Sequence, residues 1–204
     1  MNQLTFIFSV TLFLVGLFIS PTFSFAQTEN KPKQSEPSYE VVLQIMIASN
    51  TQTAKANIPQ SLSDVVKKLK TNYAFSDYHL VSTFLERVSD SVEHKGVLTE
   101  FLQNQSIAAP VFSEWTLSGL ESLPNAKEQN TVQFQNFRFG ARIPFVTTKV
   151  DNGNAFSVIN YENIGLSIRK LSLSLDTPTI IGSLSTSKAD ELMFLILSVK
   201  SADE

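Results

Sequence analysis

Apolar residues recur at every second position through most of this chain, and no other feature limits its fold as strongly. The segment 39–49 is typical, with Tyr39, Val41, Leu43, Ile45 and Ile47 along one face. A period of two is the repeat of a β-strand with a buried face. Further apolar side chains on the opposite face, Val42, Met46 and Ala48, predict that this strand lies inside a sheet.

One segment departs from this period and predicts a helix. After Ile58-Pro59-Gln60-Ser61, apolar residues recur at the spacing of one buried helical stripe: Leu62, Val65, Val66 and Leu69. Ser61 and Asp64 resemble a capping box at its start. Lys67, Lys68 and Lys70 occupy the closing turns, where the helix dipole favours cations. They are interpreted as a solvated face, with a polyanion patch as the alternative.

The order of elements in this half of the chain predicts a βαββ-like unit. A strand, the amphipathic helix and a second strand over 78–88 indicate parallel strands with a right-handed crossover. A third extended segment covers 92–101. Ser89-Asp90-Ser91 between the last two segments predicts a hairpin turn.

Beyond Val111 the sequence predicts strands whose buried face changes parity twice. Val132 and Phe134 are even-numbered, while the following apolar residues from Phe137 onward are odd, which predicts a β-bulge near Asn136. A second bulge or bend is predicted near Arg169-Lys170 for the same reason. Asp151-Asn152-Gly153-Asn154 predicts a tight turn, so two long bent strands are expected to form a hairpin.

The last segment, 192–199, is apolar on both faces and predicts a central strand. The first and last strands are therefore expected to be neighbours in one sheet. The predicted fold class is α+β: a mixed, mostly antiparallel β-sheet or sandwich with one N-terminal amphipathic helix. Residues 39–200 are predicted to form a single β-rich domain, and a boundary within 103–110 would divide it into two.

The N-terminus has the composition of a secretory signal peptide. Residues 1–26 contain no Asp, Glu, Lys or Arg, and 4–19 form an apolar run followed by Ser24-Phe25-Ala26, which fits a cleavage site. The polar, proline-containing segment 27–38 is predicted to be a disordered tether. The alternative is an uncleaved anchor, although the apolar run is shorter than the ~20 residues that cross a bilayer.

Composition narrows the classes of function. The chain has no Cys, which excludes disulfides, thiol catalysis and Cys-ligated metals. A net charge of −3 with no basic cluster predicts no nucleic-acid partner. An exported chain without disulfides fits a bacterial periplasm. No cofactor or metal-binding motif is found, so none of these ligands is expected.

Few residues are candidates for chemistry. His79 lies beside Asp77, and His94 begins the next strand, so the predicted hairpin would bring the two histidines close together. Ser185 and Lys188 have the spacing of a Ser-x-x-Lys motif but lie in a polar loop. Trp115 could stack on a sugar, and packing within a strand is the alternative. No catalytic residue is predicted from these patterns.

The C-terminal segment resembles the end of the core domain of secretins, the pores of type II and III secretion systems. The resemblance consists of Ile180-Ile181-Gly182, a short polar spacer, and Glu191-Leu192 leading into an apolar strand. Ser183 stands where that family usually has a second glycine. The resemblance implies an envelope-associated assembly or interaction protein and supplies no catalytic residues.

Together these observations predict an exported, non-enzymatic binding or assembly module that acts in the periplasm or outside the cell on an envelope protein. Recognition is expected at exposed strand edges or at the loops 121–130 and 151–154. One alternative is a small carboxylate-dependent periplasmic hydrolase that uses His79 and Asp77. Another is a membrane-anchored subunit of an envelope complex. Convergence of the histidines and an acid in one pocket would favour the hydrolase.

Overall fold

The computed structural model describes residues 38–51, 58–98, 109–123, 131–186 and 190–202. The strands are β1 (Tyr39–Ser49), β2 (Asp77–Val88), β3 (Val92–Val97), β4 (Phe112–Leu123), β5 (Thr131–Asp151), β6 (Asn154–Ser174), β7 (Thr179–Ser185) and β8 (Glu191–Ser201), and the helix is α1 (Ser63–Asn72), preceded by a 3₁₀ turn at Gln60–Leu62. The predicted signal peptide and nearly all of the predicted tether lie outside the described residues, as do 103–108 and 124–130.

The strands form two four-stranded antiparallel sheets. Sheet A has the order β2-β1-β8-β7, and sheet B has the order β3-β4-β5-β6. The prediction of a mostly antiparallel β fold with a short helix is confirmed. So is the prediction that the first and last strands are interior neighbours, because β1 pairs with β8 along its whole length.

The main hydrophobic core lies between the two sheets. Sheet A contributes alternate residues of β1 and β8, and sheet B contributes mostly aromatic and branched residues of β4 and β5. The fully buried members include Leu43, Ile45, Leu195, Leu197, Trp115, Leu117, Phe134 and Phe137. Period-two alternation in both sheets therefore buries one face of each against the other.

A second core covers the other face of sheet A. The helix α1 buries Val65, Val66 and Leu69 against Phe194 and Ile196 of β8. Both faces of β8 are thus buried, as its two-sided apolar sequence predicts. The predicted cap by Ser61 is wrong: Ser61 lies in the 3₁₀ turn, and the start of the helix has no side-chain cap hydrogen bond.

The predicted parallel arrangement of the first two strands, and with it the βαββ-like unit, is wrong. β1 and β2 are antiparallel, with Ser49 opposite Asp77. The ten-residue helix α1 is about 15 Å long and packs beside Met46 and Ala48, at the end of β1, and not along the whole strand. The chain re-enters the sheet at the end where β1 stops, so the helix is an insertion in the connection between two antiparallel neighbours.

The predicted hairpin at Ser89-Asp90-Ser91 is also wrong, because the chain changes sheets there. β2 pairs with β1 in sheet A, whereas β3 pairs with β4 in sheet B. Val88, before the corner, is buried in the main core, and Val92, after it, packs against the same core. The corner lets both strands bury apolar residues in one core from opposite sides.

The two predicted parity changes occur, but at one shared rung of sheet B. Gly119 of β4, Gln135 of β5 and Lys170 of β6 lie at the same level, and strand pairing has the same offset on both sides of them. Gly119 and Lys170 have positive φ values of 68° and 58°. Each strand therefore switches its inward face at this rung, and the single-strand bulges predicted from the sequence are replaced by a kink across three strands.

The predicted hairpin of two long strands is confirmed. β5 and β6 each contain 21 residues and pair continuously to a turn at Asn152-Gly153, where both residues have positive φ. β4 accompanies β5 only as far as Arg142. Residues 143–151 and 154–162 therefore extend past β4 as a two-stranded ribbon, which we call the arm.

Candidate functional site

The outer face of sheet B is exposed in the described part of the chain, in contrast to sheet A with its helix. Trp115 and Phe139 point into the core, so their strand neighbours Glu114 and Gly140 point outward. Three consecutive outward rungs cross the sheet. They are Glu93, Thr116, Arg138 and Ser167; Lys95, Glu114, Gly140 and Gly165; and Val97, Phe112, Arg142 and Asn163.

Two glycines that face each other open a trough in this surface. Gly140 of β5 pairs with Gly165 of β6, so the middle rung has no side chains over these two strands. A Cβ at Gly165 would lie 2.9 Å from the backbone oxygen of Phe139, so this position excludes a side chain. A Cβ at Gly140 would lie 3.5 Å from Cγ of Glu114, which is an ordinary contact. The trough has a volume of about 580 Å³ on the Phe112 and Arg142 side of these glycines.

Two arginines stand on either side of the glycine floor. Arg138 and Arg142 are exposed, and neither has an ion pair among the residues that the structure describes. Four residues of strand separate them, which corresponds to about 13 Å between their backbones. The guanidinium carbon of Arg142 lies 5.7 Å from the ring centre of Phe112 and 5.1 Å from that of Tyr161. These cation–π contacts hold one of the two charges in place.

The opposite wall of the trough carries charges of both signs. Lys95 forms an ion pair with Glu93. The hydrogen bond from Lys95 and the positive charge of Lys95 lower the pKa of Glu93, and the hydrogen bond to Glu93 and the negative charge of Glu93 raise the pKa of Lys95. Glu114 adds a further attraction to Lys95. On the β3–β4 wall the charges of Glu93 and Lys95 cancel and the charge of Glu114 remains, while the two arginines of the β5 wall have no ion pair with a described acid.

This arrangement can bind a ligand that is long, narrow and anionic. A guanidinium presents parallel N–H donors that match a carboxylate. The floor between the two arginines is backbone, so an extended chain can approach the sheet closely there. Exposed Phe112 and Val97 supply apolar contact area beside Arg142.

The structure separates the histidines that the predicted hairpin would bring together. Nδ1 of His79 lies 3.6 Å from an oxygen of Asp77, at the start of β2. Nδ1 of His94 lies 3.0 Å from Glu86, seven residues further along β2, or about 20 Å. Neither histidine lines the trough. No group of three His, Cys, Asp or Glu suited to a metal occurs in the described ranges.

His94 packs against aromatic rings of both sheets at the corner between them. Its ring centre lies 4.6 Å from that of Phe84 in sheet A and 6.1 Å from that of Trp115 in sheet B. Its hydrogen bond to Glu86 also joins the two sheets. These contacts tie β3 to β2 where the chain crosses from one sheet to the other.

The remaining sequence candidates are placed as follows. Trp115 is 1% exposed and packs in the core, which excludes the sugar-stacking hypothesis in this conformation. Lys67, Lys68 and Lys70 are exposed on α1, and Lys67 pairs with Asp64. Ser185 ends β7, while Lys188 lies outside the described residues.

The edges of sheet A are irregular. β2 has an extra residue at Val81 relative to β1, and β7 has one at Ile181 relative to β8. Bulges of this kind discourage pairing with another strand. Of the two loops expected to bind, 151–154 is the turn of the arm, and most of 121–130 lies outside the described residues.

Comparisons with known proteins add no relative: no family model, no curated protein and no solved structure matches this chain. In the described ranges, α1 is too short and too polar to cross a membrane, and no other helix there could do so.

Sequence reasoning missed the trough because its residues become neighbours only through strand register. Arg138, Gly140 and Arg142 alternate with the buried residues of β5, so their outward position can be derived from the period of two. A glycine in a strand often marks a close approach of backbone. The pairing of Gly140 with Gly165, however, follows from the register of a 21-residue hairpin.

Proposed function

We propose that this chain is an exported, non-enzymatic binding or assembly module of the cell envelope, and that the trough of sheet B binds its partner. The proposed location in the periplasm or outside the cell follows from the leader at residues 1–26 and the absence of Cys. The proposed site follows from the glycine-floored trough on the outer face of sheet B, which no helix covers in the described part of the chain.

The observation that carries the proposal is the pair of arginines beside the glycine floor. On this surface the cation Lys95 is paired with the acid Glu93. Arg138 and Arg142 have no such partner among the described residues, and their positions fit carboxylates four residues apart on an extended peptide. The proposed partner is therefore an envelope protein that presents an extended acidic segment.

Nucleic acid is not a proposed partner. Glu93 and Glu114 line the trough and would repel a phosphate backbone. An acidic peptide can direct its carboxylates toward the arginines alone, because its charges lie on separate side chains.

Peptide binding by the purified exported protein tests the proposal. The probe is a fluorescent serine- and threonine-rich peptide with two glutamates four positions apart, and its matched control has glutamines there. We expect the glutamate peptide to bind at least tenfold more tightly, and its affinity to fall with added salt. Equal binding of the two peptides would contradict the proposed site.

Paired protein variants locate the binding. Arg138→Gln with Arg142→Gln is expected to remove the preference for glutamate. Lys68→Gln with Lys70→Gln makes the same change in net charge on the exposed side of α1 and is expected to leave the preference unchanged. Equal losses from both pairs would show that net charge, and not the trough, determines binding.

A narrower form of the proposal places the protein in a secretion-type assembly. It rests on the resemblance at Ile180-Ile181-Gly182 and Glu191-Leu192, which lie on the antiparallel pair β7 and β8. Co-purification of a pore subunit with the exported protein, lost in the Arg138 and Arg142 double variant, would support it. Co-purification of other envelope proteins alone would count against it.

The two alternative functions have less support. A hydrolase needs a histidine and acids in one pocket, and the described histidines sit in separate acid pairs. A membrane-anchored subunit requires that the leader stay attached. The intact mass of the protein recovered from the envelope decides this point, because a mature chain that begins at Gln27 lacks the leader.

A further inference from the structure

We infer that the arm pairs edge to edge with the arm of a second copy, so that two β5 strands lie side by side in one continuous sheet. The inference is independent of the trough. It rests on the edge of β5 past Arg142, where β4 has ended and β6 is the remaining strand partner in the described part of the chain.

Outside the arm, the described strand edges carry features that oppose pairing. β2 and β7 are bulged. β3 has only six residues, two of them the charged pair Glu93 and Lys95. The part of β6 that lies beyond the arm is kinked at Lys170, which has a positive φ. Such features are common protections of sheet edges.

The β5 edge of the arm carries one such protection, Pro144, which is buried and has no N–H to donate, and the rest of this edge has none. Residues 143–151 pair with β6 without a register shift, and Lys149 and Asp151 are their only charged residues. One face of the arm is also apolar and exposed: the exposed fractions are 44% for Val146, 48% for Ile159 and 70% for Val150. An isolated two-stranded ribbon is only marginally stable in water, and a further strand on its edge would stabilise it.

The sequence of this edge is complementary to itself when two copies run antiparallel. With Thr147 on the twofold axis, each residue of 143–151 lies opposite a residue of the same range in the other copy, although Ile143 and Pro144 are buried and Pro144 has no N–H to donate. Val146 then lies opposite Thr148, Val150 opposite Pro144, and Lys149 opposite the ring of Phe145. No two like charges face each other, and each pair shares one face of the joined sheet.

The same geometry keeps the two sandwiches apart. Residue 143 of one copy lies level with residue 151 of the other, so each sandwich begins beyond the turn of the opposite arm. Nine residues a side is fewer than the 20 to 30 of a standard interface, so we expect weak association, with a dissociation constant of about 1–100 µM.

Sedimentation velocity of the purified exported protein at rising concentration tests association. We expect a monomer to dimer transition in the wild-type protein. Thr147→Lys places two lysines at the twofold axis and is expected to weaken dimerisation at least tenfold. The matched control is Val158→Lys, which changes the residue opposite Thr147 on β6 and lies away from the axis. This variant is expected to dimerise like the wild-type protein. A wild-type monomer throughout this range would overturn the inference.

Single cysteines test the register, because the natural chain has none. Thr147→Cys is expected to form a disulfide-linked dimer under mild oxidation, since the axis brings the two Cα atoms to about 4.5–5.5 Å. Val158→Cys is expected to cross-link at least tenfold more slowly. Faster cross-linking of Ile159→Cys than of Thr147→Cys would show that the apolar faces stack instead, which would also overturn edge pairing.

Discussion

Sheets A and B have the same number of strands and share one core, yet their outer faces differ. Sheet A carries α1 on its outer face, and both of its edges are bulged. Sheet B exposes its outer face in the described chain and extends into the arm. Sheet A therefore holds the features that stabilise the fold, and sheet B holds those suited to binding.

The difference is visible in the burial of single strands. In β8, every residue from Met193 to Val199 is buried. In β5, buried Phe137, Phe139 and Ala141 alternate with exposed or half-buried Arg138 and Gly140. A strand with two buried faces has no position free for recognition, whereas alternate burial leaves one face available.

The largest expected effect is the loss of a side chain between sheet A and α1. Phe194 is fully buried, and its ring lies 4.9 Å from that of Tyr73. Phe194→Ala is expected to reduce the free energy of unfolding by about 3–5 kcal/mol because it leaves a cavity. Val150→Ala on the arm is the control, with an expected change within about 0.5 kcal/mol. Urea denaturation measures both, and equal losses would contradict the assignment of stability to sheet A.

The two trough glycines are expected to differ. Gly165→Ala would push a Cβ against the backbone of Phe139, and we expect a loss of about 1–3 kcal/mol in unfolding free energy. Gly140→Ala has room for its Cβ, and a strand generally gains from replacing glycine, so we expect no loss. Thermal denaturation of the two variants compares them directly. A larger loss from Gly140→Ala would show that the floor is built differently.

A smaller effect concerns pH and the helix side of sheet A. Burial, and then the nearby Tyr73, raise the pKa of Tyr78 above its ordinary value of 10.0. As the pH rises above about 10, the Tyr78 hydroxyl loses its proton more readily in the unfolded chain than in the folded protein. The free energy of unfolding therefore falls with pH until the pKa of Tyr78 in the folded protein is passed. Tyr78→Phe is expected to make the alkaline decline shallower. It should cost about 1 kcal/mol at neutral pH, because the hydroxyl donates a hydrogen bond to the Tyr73 carbonyl.

Stability curves from pH 7 to about pH 11 for the wild-type protein and Tyr78→Phe provide this comparison. Val150→Ala, which removes no titratable group, is the control and is expected to retain the wild-type slope. Parallel curves for the wild-type protein and Tyr78→Phe would show that Tyr78 titrates alike in the folded and unfolded chains.

Features set by a few adjacent residues were predictable from the sequence. The turn at Asn152-Gly153 was among them, because both residues tolerate positive φ. So were the interior positions of β1 and β8, whose apolar residues occupy both faces. The parity changes near Asn136 and Lys170 were also located correctly, although the aligned kink needed the register of three strands.

Features that depend on distant partners were not predictable. Ser89-Asp90-Ser91 suits a hairpin turn and a corner between sheets equally well, and the choice depends on β1 and β4 as pairing partners. The separation of His79 from His94 follows from that corner. The trough depends on Gly165 lying opposite Gly140, an alignment of residues 25 positions apart in the sequence.

Photo-cross-linking in living cells tests most directly whether sheet B is the binding surface. A photoreactive amino acid replaces either exposed Asn163, in the trough, or Leu85, which is 60% exposed on the edge strand of sheet A. We expect an adduct with an envelope protein from position 163 and little or none from position 85. An adduct from position 85 alone would contradict the division of roles between the two sheets.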